Sequence, residues 1–174
     1  MDRILPVEDA EVSAFVQKAF TKQGMKVITG AKLQGVRKEA AGVAAIVEVD
    51  GKVTEIKADR LISAVGIVGN VEDLGLEGTK VKVDRTHVVI DAFGRTGEPG
   101  VYAIGDLAGP PWLAHKAMHE GVMVVEAIAG LHPHEMDVGN IPGCTYCHPQ
   151  VASVGMTEAA AKAAGHEVRG GRFP

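Results

Sequence analysis

Apolar residues recur at helical spacing at Val12, Phe15, Val16, Ala19 and Phe20, which predicts an amphipathic helix capped by Asp9 and stopped near Lys22 and Gly24. The pattern then turns strand-like over residues 25–29, 33–38, 43–49 and 52–57, with Asp50 and Gly51 predicted to form a type I′ hairpin turn between the last two. The unbroken apolar run 61–65 predicts a buried parallel strand. A glycine-rich stretch, 66–78, marks a boundary. Beyond it, strands are predicted near 81–83, 87–90 and 101–104. A helix follows, from Leu113 or Ala114 to about Ala129, with apolar residues at Ala117, Met118, Gly121, Val122 and Val125. Periodicity vanishes over 131–142, where Pro133, Gly139 and Pro142 indicate a linker. A strand near 151–154 and a helix over 158–164, capped by Thr157, complete the pattern.

The stretch 96–121 concentrates the candidate chemistry. Pro99 and Gly100 signal a turn before the apolar run 101–104, Gly105 frees the backbone, and Asp106 stands at the carboxyl end of the predicted strand. Ligands of open α/β sheets bind at that edge, and a carboxylate there can accept hydrogen bonds from ligand hydroxyls. An Asp that merely caps the next turn is the structural alternative. The helix after Gly109, Pro110 and Pro111 would aim free N–H groups and the positive end of its dipole at the same place.

VYAIGD at 101–106 and LAHKAMHEG at 113–121 resemble the part of the FAD domain that closes over the ribityl chain and isoalloxazine ring in the flavoprotein disulfide reductases. Leu113, Ala114 and His115 are similar to the dihydrolipoamide dehydrogenases in particular. The resemblance runs from DRILP at 2–6 to GCTYCHPQVASVGMTE at 143–158. It implies an α/β fold: parts of two doubly wound, Rossmann-like dinucleotide-binding domains plus the start of an α+β interface (dimerisation) domain. The corresponding boundaries are 1–70 for the end of an NAD-binding domain, 71–131 for the end of an FAD-binding domain, 132–142 for a linker and 143–174 for the interface domain.

By the same resemblance Asp106 would bind the ribityl hydroxyls, while Trp112, Leu113, Ala114 and His115 would lie against the flavin of FAD. Gly66 and Leu33 match positions near NAD. The implied activity is reoxidation of dihydrolipoamide by NAD through FAD and a redox disulfide, in a homodimer that serves the lipoyl domain of a 2-oxoacid dehydrogenase complex. Related reductases, such as mercuric reductase or a soluble transhydrogenase, are alternatives. So is a non-catalytic piece that pairs with a full-length subunit.

Several family elements do not occur in this sequence. It has no G-x-G-x-x-G fingerprint, no pair of cysteines four residues apart and no C-terminal His and Glu base pair. At 66–70, Gly-Ile-Val-Gly-Asn replaces the usual Gly-Arg-x-Pro-Asn, which removes a charged group. The expectation is a central fragment, from an internal start codon or a truncated gene, that supplies cofactor contacts and no catalytic residues and is inactive alone.

Composition narrows the classes further. With 46% hydrophobic residues and a net charge of −4, the chain carries no basic signature of nucleic-acid binding. No apolar run reaches membrane-spanning length and no signal peptide opens the chain, so a cytoplasmic location is expected. Cys144, Cys147 and His148 spell C-x-x-C-H, the attachment pattern of c-type haem. Against a haem stand the adjacent strand pattern and the match of the surrounding residues to the reductases. Zinc on His132, His134 and His148 would want a second cysteine pair. Two reduced cysteines, with no metal, are expected. His132, His134 and Glu135 fall in the predicted linker and are assigned no role; His119 and Glu120 are assigned to helix packing.

Overall fold

The computed structural model describes residues 1–173. They form two compact units: one built from 1–64 together with the segment after 143, the other from 65–143.

In the first unit, helix α1 (Ala10–Lys22) buries Val16 and Ser13 and leaves Phe15 64% exposed. Asp9 occupies the N-cap position but makes no cap bond to α1. Its carboxylate instead accepts from the N–H of Glu158, at the first turn of α3 (Glu158–Ala163), 2.9 Å away. The expected cap thus joins two distant segments. Three more contacts do the same: Ser153 donates to the buried Glu8 (3.0 Å), Gln23 donates to the His148 carbonyl (2.6 Å), and Arg172 grips Glu11. The first and last parts of the chain therefore form one body. Thr157 caps α3 as expected, accepting from Ala160 N–H.

Strands β1 (Lys32–Glu39), β2 (Gly42–Val49) and β3 (Lys52–Ala58) make an antiparallel meander. Asp50 and Gly51 both have positive φ, 50° and 77°, as the type I′ turn requires. Arg37, Ala44 and Lys57 face one another across the three strands. Ala44 is fully buried there between two long side chains, whose charged ends pair with Glu39 and Glu55. The strand expected at 25–29 is irregular chain, as is the one expected at 61–65, where Ile62 and Val65 are 90% and 93% exposed. A parallel strand is stable only between neighbours that take its hydrogen bonds, and none of the described residues pairs with these runs. β6 (Gly143–Thr145) and β7 (Val151–Ser153) form a separate two-stranded sheet.

The second unit holds the short hairpin β4 (Val83–Asp84) and β5 (His87–Val88), a 3-10 turn at Gly105–Ala108, helix α2 (Ala114–Ile128) and a second 3-10 turn at Val138–Asn140. The predicted strand 101–104 is reduced to a single bridge between Tyr102 and Arg95, with Val101 and Ile104 each 40% exposed and only Ala103 buried among the apolar residues. It docks on the preceding turn through the N–H of Ala103, which donates to Gly94 (2.9 Å), and the Thr96 hydroxyl, which donates to Val101 (2.9 Å). Helix α2 inverts its sequence pattern. Met118, Val122 and Val125 are exposed, while Lys116 and Glu120 are buried with Met123 and Val124.

Candidate functional site

Gly105 turns the chain at φ +75°, and a Cβ there would come within 3.2 Å of the Ala117 methyl, so a small residue with a left-handed backbone is required. That geometry starts the 3-10 turn in which Asp106 sits exposed, with no hydrogen bond to its carboxylate among the described residues. The turn closes through the N–H of Gly109, which donates to the Asp106 carbonyl (3.2 Å).

Beneath the turn lies a feature that a pattern of apolar positions does not reveal. Lys116 and Glu120, one helical turn apart on α2, form an ion pair at 2.9 Å with side chains only 4% and 7% exposed. The Lys116 ammonium also donates to the carbonyls of Gly105 (3.2 Å) and Gly109 (3.0 Å), and Glu120 accepts from the N–H of Gly105 at 2.6 Å. Buried charges are tolerated only when paired and hydrogen-bonded, and both conditions are met here. The i, i+4 spacing of Lys116 and Glu120 was the available signal.

Leu113 takes the N-cap position of α2 in extended conformation and provides no side-chain cap. The first-turn N–H groups and the positive dipole end are left for another acceptor, as the sequence pattern implied. Trp112 precedes this turn, half-stacked on His87 with ring centres 5.8 Å apart, and its indole N–H donates to His87 Nε2 at 3.2 Å. His115 Nε2 lies 2.8 Å from the Pro142 carbonyl and so carries the proton on that nitrogen. Asp106, Trp112, Leu113, Ala114 and His115 thus share the second unit and the two ends of one connection.

Gly66 belongs to the same unit but is exposed, at φ +154°, with open space where a side chain would stand. Leu33 belongs to the other unit, on β1, 57% exposed beside the register shift between Leu33 and Gly35. A cavity of 120 Å³ behind the turn, lined by Gly94, Ala103, Glu120 and Met123 among others, includes none of the predicted ligand residues. It is smaller than the roughly 300–1,000 Å³ of typical cofactor and small-molecule pockets. At its rim, partial burial pushes the Asp91 carboxyl up. The N–H groups of Arg95 and Phe93 and the Arg95 guanidinium outweigh that and hold it below its ordinary value.

Cys144 is exposed and Cys147 half-buried, its thiol donating to the Pro149 carbonyl at 2.9 Å. His132, His134 and Glu135 lie exposed in irregular chain. No described helix is long and apolar enough to cross a membrane.

Comparison with known proteins shows what the chain is similar to. Relatives called dihydrolipoyl dehydrogenase, from Rhizobium etli and Zymomonas mobilis, are 58% and 52% identical over 99% of the chain, which covers 36% and 37% of their lengths. The chain therefore spans about a third of the curated relatives it matches. Among solved structures, LpdA from Mycobacterium tuberculosis superposes with a TM-score of 0.83 at 27% identity, over 94% of this chain and 35% of that one. The HOCl-induced flavoprotein disulfide reductase RclA from Escherichia coli shares the fold, with a TM-score of 0.82 at 22% identity over 94% of this chain and 37% of that one. The family model for the dimerisation domain of the pyridine nucleotide-disulphide oxidoreductases matches residues 141–174. The model of the oxidoreductase itself matches residues 1–121, and the chain belongs to the pyridine nucleotide-disulphide oxidoreductase family.

Proposed function

We propose that this chain is the central segment of a dihydrolipoamide dehydrogenase and that its second unit carries one wall of the FAD site. The observation that carries the reading is the pairing of an Asp106 carboxylate that has no partner among the described residues with an α2 N-terminus that has no side-chain cap, at the two ends of the connection 107–113. These groups fit the cofactor: a carboxylate accepts from ribityl hydroxyls, and free N–H groups at a positive dipole end suit a flavin edge that gains negative charge on reduction. Trp112, Leu113, Ala114 and His115 would bind along that edge.

FAD bound there would pass an electron pair from a dithiol to NAD. The contribution of this chain is to hold the ribityl chain at Asp106 and to stabilise the reduced ring at the α2 N-terminus. Gly66 and Leu33 are proposed NAD contacts. The dithiol and the His and Glu base are absent from this sequence, so the chain alone is expected to turn over no lipoamide. The parent is proposed to be a cytoplasmic homodimer that accepts electrons from the lipoyl domain of a 2-oxoacid dehydrogenase complex; the match to a dimerisation domain supports the homodimer.

The test is flavin absorbance of the purified chain after incubation with FAD and gel filtration, beside Asp106→Ala. Retained flavin bands, lost in the variant, are expected. A wild-type chain that leaves the column colourless would count against a cofactor wall formed by these residues alone.

A further inference from the structure

We infer that Lys116 and Glu120 are positioning residues: they fix the backbone of the Gly105–Gly109 turn from below and thereby set where the Asp106 carboxylate stands. The part of this inference that concerns FAD rests on the flavin reading above. Both backbone polar groups of Gly105 are taken, the N–H by Glu120 and the carbonyl by Lys116, and Lys116 takes the carbonyl of Gly109 as well. Asp106 lies between these anchored residues. Neither charged group hydrogen-bonds the Asp106 side chain, so any influence on it travels through the backbone.

Stabilisation of α2 alone is a poorer account of the pair. Lys precedes Glu, the less favourable order for i, i+4 helix pairs. Packed apolar residues would also avoid the desolvation cost of two buried charges. What apolar residues could not do is satisfy three backbone groups of a turn that carries an exposed carboxylate.

The experiment uses the full chain, with hydrogen exchange at the amides of Gly105 to Gly109 and FAD affinity from flavin fluorescence as independent readouts. Lys116→Met and Glu120→Leu are expected to speed exchange in the turn by about tenfold more than elsewhere in α2, and to weaken FAD binding by about tenfold. On an Asp106→Ala background they should weaken FAD no further, because the carboxylate they position is gone. Glu120→Gln also leaves the Lys116 charge unpaired but keeps an acceptor for the Gly105 N–H, so relative to the rest of α2 it should protect the turn, and hold FAD, better than Glu120→Leu does. Val124→Ala, which loses core packing beside Gly94, should change neither relative protection nor the affinity of folded protein.

Exchange in the turn that merely follows the rest of the helix would overturn the inference. So would effects of Lys116→Met and Asp106→Ala on FAD that multiply, or a Glu120→Gln variant as impaired as Glu120→Leu. A wild-type chain that binds no FAD removes the flavin reading, and exchange at Gly105 then decides alone whether the pair holds the turn.

Discussion

The Lys116 ammonium and the Glu120 carboxylate meet at 2.9 Å inside the second unit, and each is bonded to the same residue, Gly105. A pair so buried is fragile in a specific way. Removing one member leaves a lone charge in a dry site, and such changes typically cost about 3–5 kcal/mol. Glu120→Leu is therefore expected to destabilise the second unit by about that much. The double variant Lys116→Met with Glu120→Leu should cost less, since no lone charge remains, yet stay below wild type because Gly105 and Gly109 lose partners. Urea unfolding followed by the fluorescence of Trp112, the sole tryptophan, reads this unit selectively. A double variant less stable than Glu120→Leu would contradict the account.

Glycine is required for different reasons at two nearby positions. At Gly94, φ is +74° and an added Cβ would lie 2.8 Å from a Val124 methyl and 3.1 Å from the Ala103 carbonyl, so strain and overpacking combine. Gly94→Ala is expected to cost about 2–4 kcal/mol. Gly105→Ala meets only the Ala117 methyl, at 3.2 Å, and is expected to cost about 1–2 kcal/mol. Thermal unfolding of the two variants side by side checks the order, and Gly105→Ala as the more damaging change would show that the crowding at Gly94 is relieved.

How far the sequence could be read depended on whether the determining interactions were local. The Asp50 and Gly51 hairpin, the Thr157 cap and both long helices follow from turn chemistry and periodicity within a few residues, and all four are present. The runs 25–29 and 61–65 have the composition of buried strands but find no strand neighbours among the described residues, so their apolar side chains stay largely exposed. Asp9 shows the same limit from the other side, because its N-cap signal was correct in position while its carboxylate serves a helix some 150 residues away, at Glu158. The burial of Lys116 is not legible in the apolar pattern because a buried lysine is defined by its partners, and two of them come from a turn seven to eleven residues earlier. The glycine before Asp106 and the start of α2 at Leu113 and Ala114 are local signals and were legible, whereas the roles expected of Leu113, Ala114 and His115 came from the resemblance to the reductases.

Trp112 offers a test of the segment that leads into α2. Its indole N–H donates to His87 while the two rings lie tilted by 31°. Trp112→Phe keeps an aromatic face but removes the donor, and an exposed neutral hydrogen bond of this kind contributes about 0.5–1.5 kcal/mol. His87→Phe removes the acceptor and should cost a similar amount. In the double variant the two losses should not add, because each single change already breaks the same bond. Additive losses in a double-mutant cycle, monitored by circular dichroism, would mean that the side chains act independently.

Acid should weaken the second unit through Asp91. Its carboxylate accepts from the N–H groups of Phe93 (2.9 Å) and Arg95 (3.0 Å) and faces the Arg95 guanidinium at 3.5 Å. Burial pushes this carboxyl up, but the N–H groups and the guanidinium together hold it below its ordinary value. The ionised form is thus favoured by folding. Its stabilisation is complete above the carboxylate range of the unfolded chain and is lost as pH falls from that range through the lower folded value. The side chain is 47% exposed, so solvent screens the effect, and added salt should shrink it further. Melting of the second unit, followed by Trp112 between about pH 5 and about pH 2.5, should therefore show a steeper decline in wild type than in Asp91→Asn. The variant keeps an acceptor oxygen for the two N–H groups, so the difference between the curves isolates the charge. Parallel curves would show that protonation of Asp91 leaves the turn from Asp91 to Arg95, and the Ala103 segment docked on it, undisturbed.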